Sequence, residues 1–425
     1  FLQRARYCFT VCGGEVMASP KLRFKEFDGD WNSIAIGKFL KIKSGLGFKA
    51  EEYSTEQEIR LLQIENVGYG AVKWTHNVKF VPTNYLDVHK DLVLKEGDLV
   101  LALNRPVTND QLKIAKLTQE DSPSILYQRV GKLDFLKEDI DKEFIFQIFK
   151  KDVKNYVLNS SIGSDQPFIS TTDLYKHKLC IPLKEEQTKI ASFLSAVDEK
   201  ISQLTQKHEL LSQYKQGMMQ KLFSQQLRFK ADDGSEFGEW EEVRLGNLVD
   251  LTSGFAFKSD FFSEDGNKLI TPKNFTTTGK ANFTDTNTKW TTEISDKKYI
   301  CRPNDLLVLL TDLTQSCELL GKPILLSQDD GNVLLNQRIV KIIPNRKLEK
   351  PFLLYLLLTD DFHELIVSTA SGTTVKHSSN KVLQSFHFYL PCLEEQTKIA
   401  NFLSAIDQKI EVVAQQIEQA KTWKK

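Results

Sequence analysis

An acidic residue two places before a lysine is the tail of a nuclease metal motif, and two stretches have that shape: Asp198-Glu199-Lys200 and Asp407-Gln408-Lys409. Neither follows a Pro-Asp strand, and both fall in segments of helical periodicity, so they read as the solvated face of a helix. Gly-Lys occurs at 37, 131, 279 and 321, followed by Phe, Leu, Ala and Pro. With no Ser or Thr after the lysine, no phosphate-cradling loop is built. No two prolines adjoin anywhere, which removes an Asn/Asp-Pro-Pro-aromatic methyltransferase motif. No His/Ser/Asp or His/Cys grouping has useful catalytic spacing. The six cysteines, at 8, 12, 180, 301, 317 and 392, are scattered, and Cys8 and Cys12 have no further ligand at metal-binding distance. Isolated thiols fit a reducing cytosol. A cytoplasmic protein with no metal site is expected, and binding is favoured over catalysis.

The residues left with chemistry to offer suit contact with nucleic acid. Ser44-Gly45 precedes Phe48-Lys49, and Ser253-Gly254 precedes Phe257-Lys258 at the same spacing. Small residues permit close backbone approach and a lysine meets phosphate; a plain β-turn with a core Phe fits the same letters, and both readings stay open. Asn66 and Lys273-Asn274 follow apolar runs at near-equivalent places. Asparagine pairs with adenine N6 and N7, although a turn-capping Asn is the plainer reading. Asn104-Arg105 suits guanine or phosphate, or simple solvation. The polar loop Gly372-Thr373-Thr374-Val375-Lys376-His377, answered by Gly163-Ser164-Asp165-Gln166, is expected to touch DNA. Trp31 and Trp240 are expected to anchor cores. Formal charge is zero, 56 Lys+Arg against 56 Asp+Glu, which counts against a stand-alone nucleic-acid binder and leaves local basic faces open.

What must position these residues is a duplicated frame. Pro182 to Ile201 (PLKEEQTKIASFLSAVDEKI) returns at Pro391 to Ile410 (PCLEEQTKIANFLSAIDQKI), 209 residues later, with 15 of 20 positions identical. The offset holds beyond that stretch: Gly29-Asp30-Trp31 answers Gly238-Glu239-Trp240 and Gly37 answers Gly246, while Leu22–Lys25 (LRFK) recurs at Leu227–Lys230, four residues out of step, which places a short insertion between Lys230 and Trp240. Glu96 to Leu101 resembles Pro303 to Val308, whereas residues 118 to 155 and 325 to 365 show little resemblance. The pattern is a shared scaffold with independent interiors. Each interior mixes short β-type runs, such as Leu306–Leu310 and Ile339–Ile343, with turn signals at Gly97-Asp98 and Asp330-Gly331 and a helix over Phe352–Leu365.

After each repeated proline, apolar residues recur at alternating steps of four and three: Ile190, Leu194, Val197, Ile201, Leu204 and Leu211 in the first copy, and Ile399, Leu403, Ile406, Ile410 and Val413 in the second. That is a heptad seam. From Ile190 to Leu222 such a helix runs roughly 48 Å, longer than the globule it leaves. Two equivalent helices in one chain pair most simply with each other, antiparallel, about a pseudo-two-fold axis. Lys215 and Lys424 interrupt the seam at matching points, and His208 is read as structural, since polar seam positions fix register. The fold class is therefore α+β: two pseudo-repeated globules (17–181 and 227–390) joined by two long helices (182–226 and 391–425) pairing as an antiparallel coiled coil, with residues 1–16 outside the fold. At 41% hydrophobic residues the composition is that of a soluble globular protein, and the longest apolar runs, such as Phe352 to Leu358, fall far short of the ~20 residues of a membrane span.

The LP-x-x-EEQ-x-x-IA-x-FL helix start (with Ile181 in place of the leucine in the first copy), the LRFK…G-x-W lead-in and the SG-x-x-FK segment, each present twice, resemble the specificity (S) subunit of type I restriction–modification enzymes. The resemblance implies two target-recognition domains, each reading half of a split DNA sequence through the major groove, so that the target is bipartite and asymmetric. It implies helical spacers that set the half-site distance and dock two modification (methyltransferase) subunits, to which a restriction subunit is added. S-adenosylmethionine, ATP and magnesium then belong to those partners, with no cofactor in this chain. The second helix lacks a counterpart to Gly217–Gln226 and is expected to weaken the spacer bundle. Two other readings remain at this level: a recognition subunit of a system that joins cleavage and methylation in one polypeptide, and a coiled-coil protein adaptor that binds no DNA.

Overall fold

The structure is a computed structural model that describes residues 20, 22–160, 168–293, 295–312, 314, 316–373 and 375–424. The N-terminal stretch 1–16 and the loop Gly163 to Gln166 lie outside the described residues. The chain forms two compact units, residues 1–202 with 420–425 and residues 203–419.

Each unit is organised around one short strand that is buried on both faces. In the first unit this is Leu99–Ala102 and in the second Leu306–Leu309, and all four residues of each are buried. Side chains alternate along a strand, so each strand feeds two cores. Leu99 and Leu101 join Phe144, Ile145 and Phe149 under the helices, while Val100 and Ala102 join Leu61, Ile125 and Leu126 between sheets. In the second unit Leu306 and Val308 face Phe352 and Phe362, while Leu307 and Leu309 face Ile270 and Leu335. A continuous apolar run in place of alternation is the mark of such a doubly covered strand.

Around this strand the first unit has a five-stranded sheet, in the order Leu40–Ser44, Val130–Phe135, Leu99–Ala102, Ile114–Lys116, Tyr69–Ala71. A four-stranded sheet follows, in the order Phe80–Val81, Ile59–Leu62, Ser124–Leu126, Val93–Leu94. The second unit repeats the plan with Val249–Ser253, Ile339–Pro344, Leu306–Leu309 and Pro323–Leu325 in one sheet and Asn267–Ile270 beside Val333–Leu335 in the other. A further strand pair closes each unit next to its long helix: Asn32–Ala35 with Lys178–Ile181, and Glu241–Arg244 with His387–Leu390. The expected strands over Leu306–Leu310 and Ile339–Ile343 are thus present within a residue.

The apolar run read as one helix over Phe352–Leu365 is two helices, Lys350–Leu357 and Asp360–Ser368. Thr359 between them is extended, and its hydroxyl donates to the Leu356 carbonyl at 2.6 Å, closing the first helix. Asp360 and Asp361 then open the second, where negative charge suits a helix N-terminus. The first unit breaks at the same place, between Lys142–Phe149 and Asp152–Ser160.

The spacer helices are Lys184–Phe223 and Leu393–Lys424, 40 and 32 residues long; the first measures about 60 Å. Gly217 does not interrupt it. The two helices pair antiparallel. In the second unit Leu204 clusters with Val413 and Ile417, with Leu211 against them, and further along Lys215 reaches Asp407 at 2.6 Å. Rising numbers on one helix meet falling numbers on the other. The seam does double duty, which corrects the expectation of one helix-to-helix stripe. Ile399, Leu403 and Ile406 belong to the second unit's main core with Met219 and Leu222, and Ile410 packs against it. Ile190 packs on the first unit's core, while Leu194, Val197 and Ile201 are half-buried. The first turns of each helix roof their own globule before the helices pair with each other.

Candidate functional site

The duplicated EEQ letters are clamps. Glu186 is buried and accepts from Arg23 Nε and Nη2 at 2.7 and 2.6 Å; Glu395 is buried and accepts from Arg228 Nε and Nη2 at 3.2 and 2.8 Å. The arginines come from the two LRFK copies, whose phenylalanines pack on the helices: Phe24 on Phe193 at 5.8 Å and Phe229 on Phe402 at 5.5 Å. Hydrogen bonding to Glu186 and Glu395 raises both guanidinium pKa values. Gln187 receives the amide of Asp141 and donates to the carbonyls of Asp139 and Pro182. Gln396 does the same with Glu349, Lys347 and Pro391. These residues pin each spacer to its globule. Trp31 and Trp240 are core residues as expected, 4% and 7% exposed. They differ in one atom's fate. Trp240 Nε1 donates to Glu395 at 2.8 Å, whereas Trp31 Nε1 has no hydrogen-bond partner among the described residues.

The acidic stretches first considered for metal chemistry hold the spacers instead. Lys215 pairs with Asp407, which also accepts from Tyr355 Oη at 2.8 Å. At the position 209 residues away in each case, Lys424 pairs with Asp198, which also accepts from Gln147 Nε2 at 3.1 Å. Burial alone would raise the Asp198 carboxyl pKa, but Lys424, Lys150 and Gln147 hold it below the ordinary carboxylate range. No cluster of three or more His, Cys, Asp or Glu could hold a metal among the described residues.

Ser44-Gly45 and Ser253-Gly254 end the strands that carry them, and the chain there crosses to the other sheet. Leu46 bridges to Tyr127 and Phe255 to Asn336, both in parallel sense. A Cβ on Gly45 would collide with the carbonyls of Leu126 and Tyr127, and one on Gly254 with the Asn336 carbonyl. Glycine is required at both by this crossing. Phe48 and Phe257 are buried at 8% exposure each, in core clusters. They take the core role, so the expectation that they face DNA is corrected. Lys49 and Lys258 are exposed, with their backbone amides donating to Glu52 and Glu293. Ser44 and Ser253 are exposed, and Ser253 accepts from Asn380 Nδ2 at 3.0 Å.

Asn66 and Asn274 are fully buried. Asn66 Oδ1 accepts from the Gln63 amide and its Nδ2 donates to the Lys73 carbonyl. Asn274 Oδ1 accepts from Thr271 N and Oγ1, and its Nδ2 donates to Asn282 and Asn287. Their amides are consumed in capping, which corrects the base-reading expectation; Lys273 alone of that group is exposed.

The other candidates converge. Asn104 is half-buried and bridges to Phe168, and Arg105 beside it is exposed at φ 44°. In the second unit the equivalent edge, Thr311–Asp312, pairs with Lys376–His377, and Thr311 Oγ1 lies 3.0 Å from His377 Nδ1. Phe168 in the first unit and Lys376–His377 in the second therefore lie alongside the end of the central strand. Thr373 is exposed and Lys376 half-buried on this edge; Thr374 lies outside the described residues.

Sequence comparison alone missed the turn between these parts. Tyr127-Gln128-Arg129-Val130 and Asn336-Gln337-Arg338-Ile339 are tight turns held by the same bonds. Val130 N donates to Tyr127 O and Ile339 N to Asn336 O; Leu103 N donates to Arg129 O and Leu310 N to Arg338 O; Gly45 N donates to Val130 O and Gly254 N to Ile339 O. Once aligned this way, Leu126 to Lys132 (LYQRVGK) and Leu335 to Lys341 (LNQRIVK) share four of seven residues at the 209 offset. They fall in stretches read as unrelated.

With this geometry in place, comparison with known proteins is decisive. The type I restriction modification DNA specificity domain matches residues 28–213 and again 238–422. The chain belongs to this family. The MjaVIII specificity subunit of Methanocaldococcus jannaschii, a type I restriction enzyme subunit, is 38% identical over 227 residues, 52% of this chain and 52% of that protein. The EcoAI specificity subunit of Escherichia coli is 28% identical over 180 residues, 41% of this chain and 29% of that protein. The match thus spans about half or less of these specificity subunits. The fold matches a type I restriction–modification S subunit from M. genitalium with a TM-score of 0.60 at 17% identity, covering 96% of this chain and 97% of that one. A chain from a study of complex assembly in the type I R-M system matches with a TM-score of 0.54 at 19% identity, covering 93% and 95%.

Proposed function

We propose that this member of the specificity-domain family is the DNA-recognition and assembly subunit of a type I restriction–modification complex. Each unit reads one half of an interrupted, asymmetric site. The observation that carries this reading is one frame built twice, down to its hydrogen bonds, with different residues at corresponding strand ends: Asn104 and Phe168 against Thr311 and His377. Two copies of one frame with different tips suit two different half-sites. The spacers set the half-site distance and dock two modification subunits, with a restriction subunit joining them. The chain performs no chemistry itself; S-adenosylmethionine, ATP and magnesium act in the partner subunits. With zero formal charge, it relies on those subunits for much of the phosphate contact that dominates affinity. The complex works on DNA in the cytoplasm, and no described helix is long and apolar enough to cross a membrane.

The test is co-expression with the modification subunit in a host lacking other adenine methylation, followed by long-read sequencing for modified adenine. A single bipartite methylated motif is expected. Methylation without such a motif, or none in an otherwise assembled complex, refutes the proposal.

A further inference from the structure

We propose that Arg129 and Arg338 are matched anchors on the DNA sugar–phosphate backbone, one in each unit, while the base-reading side chains sit beside them. This rests on the DNA-recognition reading above and names the residues through which each unit grips the duplex.

The argument starts from what the two Leu-x-Gln-Arg-x-x-Lys segments share. Leu126 and Leu335 are fully buried, which explains the leucine. Lys132 pairs with Asp98 at 2.7 Å and Lys341 with Asp305 at 3.7 Å, which explains the lysine. Those aspartates also cap the preceding turns, accepting from the amides of Lys95 and Arg302. Gln and Arg have no such structural task. Arg129 is exposed and Arg338 half-buried, and neither guanidinium has a hydrogen bond or ion pair among the described residues. Arg129 even stands at φ 68°, a conformation in which Gly or Asn is the ordinary choice and a longer side chain is strained. The backbone on either side is fixed by the three bonds that recur in both units, so each guanidinium leaves from a fixed corner, although only Arg129 of the two stands at positive φ.

The nature of the ligand follows from the contrast between shared and unshared residues. Two units that read different half-sites cannot read them with the same side chain in the same setting. What both half-sites have in common is the sugar–phosphate backbone, which arginine meets through charge-assisted, often bidentate bonds. The exposed neighbours on this edge differ between units, Phe168 beside Asn104 against His377 beside the buried Thr311, and they are placed to discriminate bases. The shared arginine sets the register in which they do so.

The experiment uses the full chain assembled with its modification subunits on duplexes carrying the methylated motif and on scrambled duplexes. Binding is measured between 50 and 200 mM salt for wild type, Arg129→Gln, Arg338→Gln and the lysine replacements Arg129→Lys and Arg338→Lys. Each glutamine variant should bind both duplexes more weakly and lower the magnitude of the log–log salt slope by about 0.9, so that the wild-type advantage narrows about 3.5-fold across this range. Lysine should restore the slope, and the methylated sequence should be unchanged in every variant. An unaltered slope with glutamine, or a relaxed or altered methylation motif, overturns the proposal. A wild-type complex with no salt-dependent DNA affinity would instead sink the recognition reading itself, and the proposal with it.

Discussion

The paired tryptophans allow one substitution to be made twice against opposite hydrogen-bond backgrounds. Trp240→Phe removes a donor 2.8 Å from the buried Glu395 carboxylate. A hydrogen bond to a charged group is worth about 1.5–3 kcal/mol, and Glu395 is fully buried. Trp31→Phe removes a buried N–H that has no partner among the described residues. It should recover part of the desolvation penalty of an unmet donor, about 1–3 kcal/mol. The smaller ring costs packing in both, and that loss largely cancels because both indoles lie in equivalent cores. The second unit should therefore be destabilised more by its substitution than the first by its own, with a gap of about 2–4 kcal/mol. Amide exchange followed by mass spectrometry reads each unit separately through peptides covering residues 99–116 and 306–325. A gap of 2 kcal/mol corresponds to roughly thirtyfold in exchange rate. If Trp31→Phe is as costly as Trp240→Phe, the hydrogen-bond argument fails and both indoles act by shape alone.

Three other outcomes follow from the same contacts. Leu403→Asp places a charge in the second unit's core and should cost more than about 4 kcal/mol, whereas Leu211→Asp, in the half-buried interhelical seam, should leave that unit's amide protection near wild type; equal losses would mean the helix does not divide its stripe between core and partner. Lys215→Asp should cost about 1–3 kcal/mol, less than a fully buried pair because the partners are 12% and 18% exposed; adding Asp407→Lys should recover much of it in a double-mutant cycle by urea unfolding, and additive losses would show that the pair does not couple. Burial lowers the pKa of His177 in the first unit and, with help from nearby Lys322, that of His363 in the second, whose Nδ1 donates to the Leu320 carbonyl at 3.0 Å. Below the unfolded pKa of ~6.5 the unfolded chain binds more protons, so stability should fall as pH drops from 7 to 5.5. His363→Gln should flatten that slope in the second unit and leave it in the first; amide exchange showing equal slopes before and after would assign the pH response to other groups.

Much of this was legible in the letters. The repeat gave the helices, their antiparallel pairing and the two globules, because a heptad stripe on a helix longer than its domain leaves few ways to bury it. It also placed the glycines of the SG-x-x-FK segments where backbone crowding demands them. Three things were not legible. The partner of Glu186 and Glu395 lies in LRFK, more than 160 residues away, and nothing local announces a buried ion pair. The two asparagines have the same letters whether they read adenine or cap a turn; only their burial separates the roles. The Gln-Arg turn was hidden by its neighbours, since Tyr127 against Asn336 and Gly131 against Val340 break the resemblance on either side. Applying the known offset of 209 position by position, instead of waiting for visible similarity, would have exposed it.

The doubly buried central strand has a consequence for how such a protein can change. Leu99 and Leu101 serve the core that holds the helices, and Val100 and Ala102 serve the core beneath the second sheet. Because adjacent residues answer to different cores, substitutions accumulating on one side do not disturb packing on the other. The face bound to the spacers is free to stay constant while the face behind the second sheet drifts. A single four-residue strand thus insulates one face from change on the other, and under the recognition reading proposed above a lineage can acquire a new half-site without renegotiating how its subunits fit together.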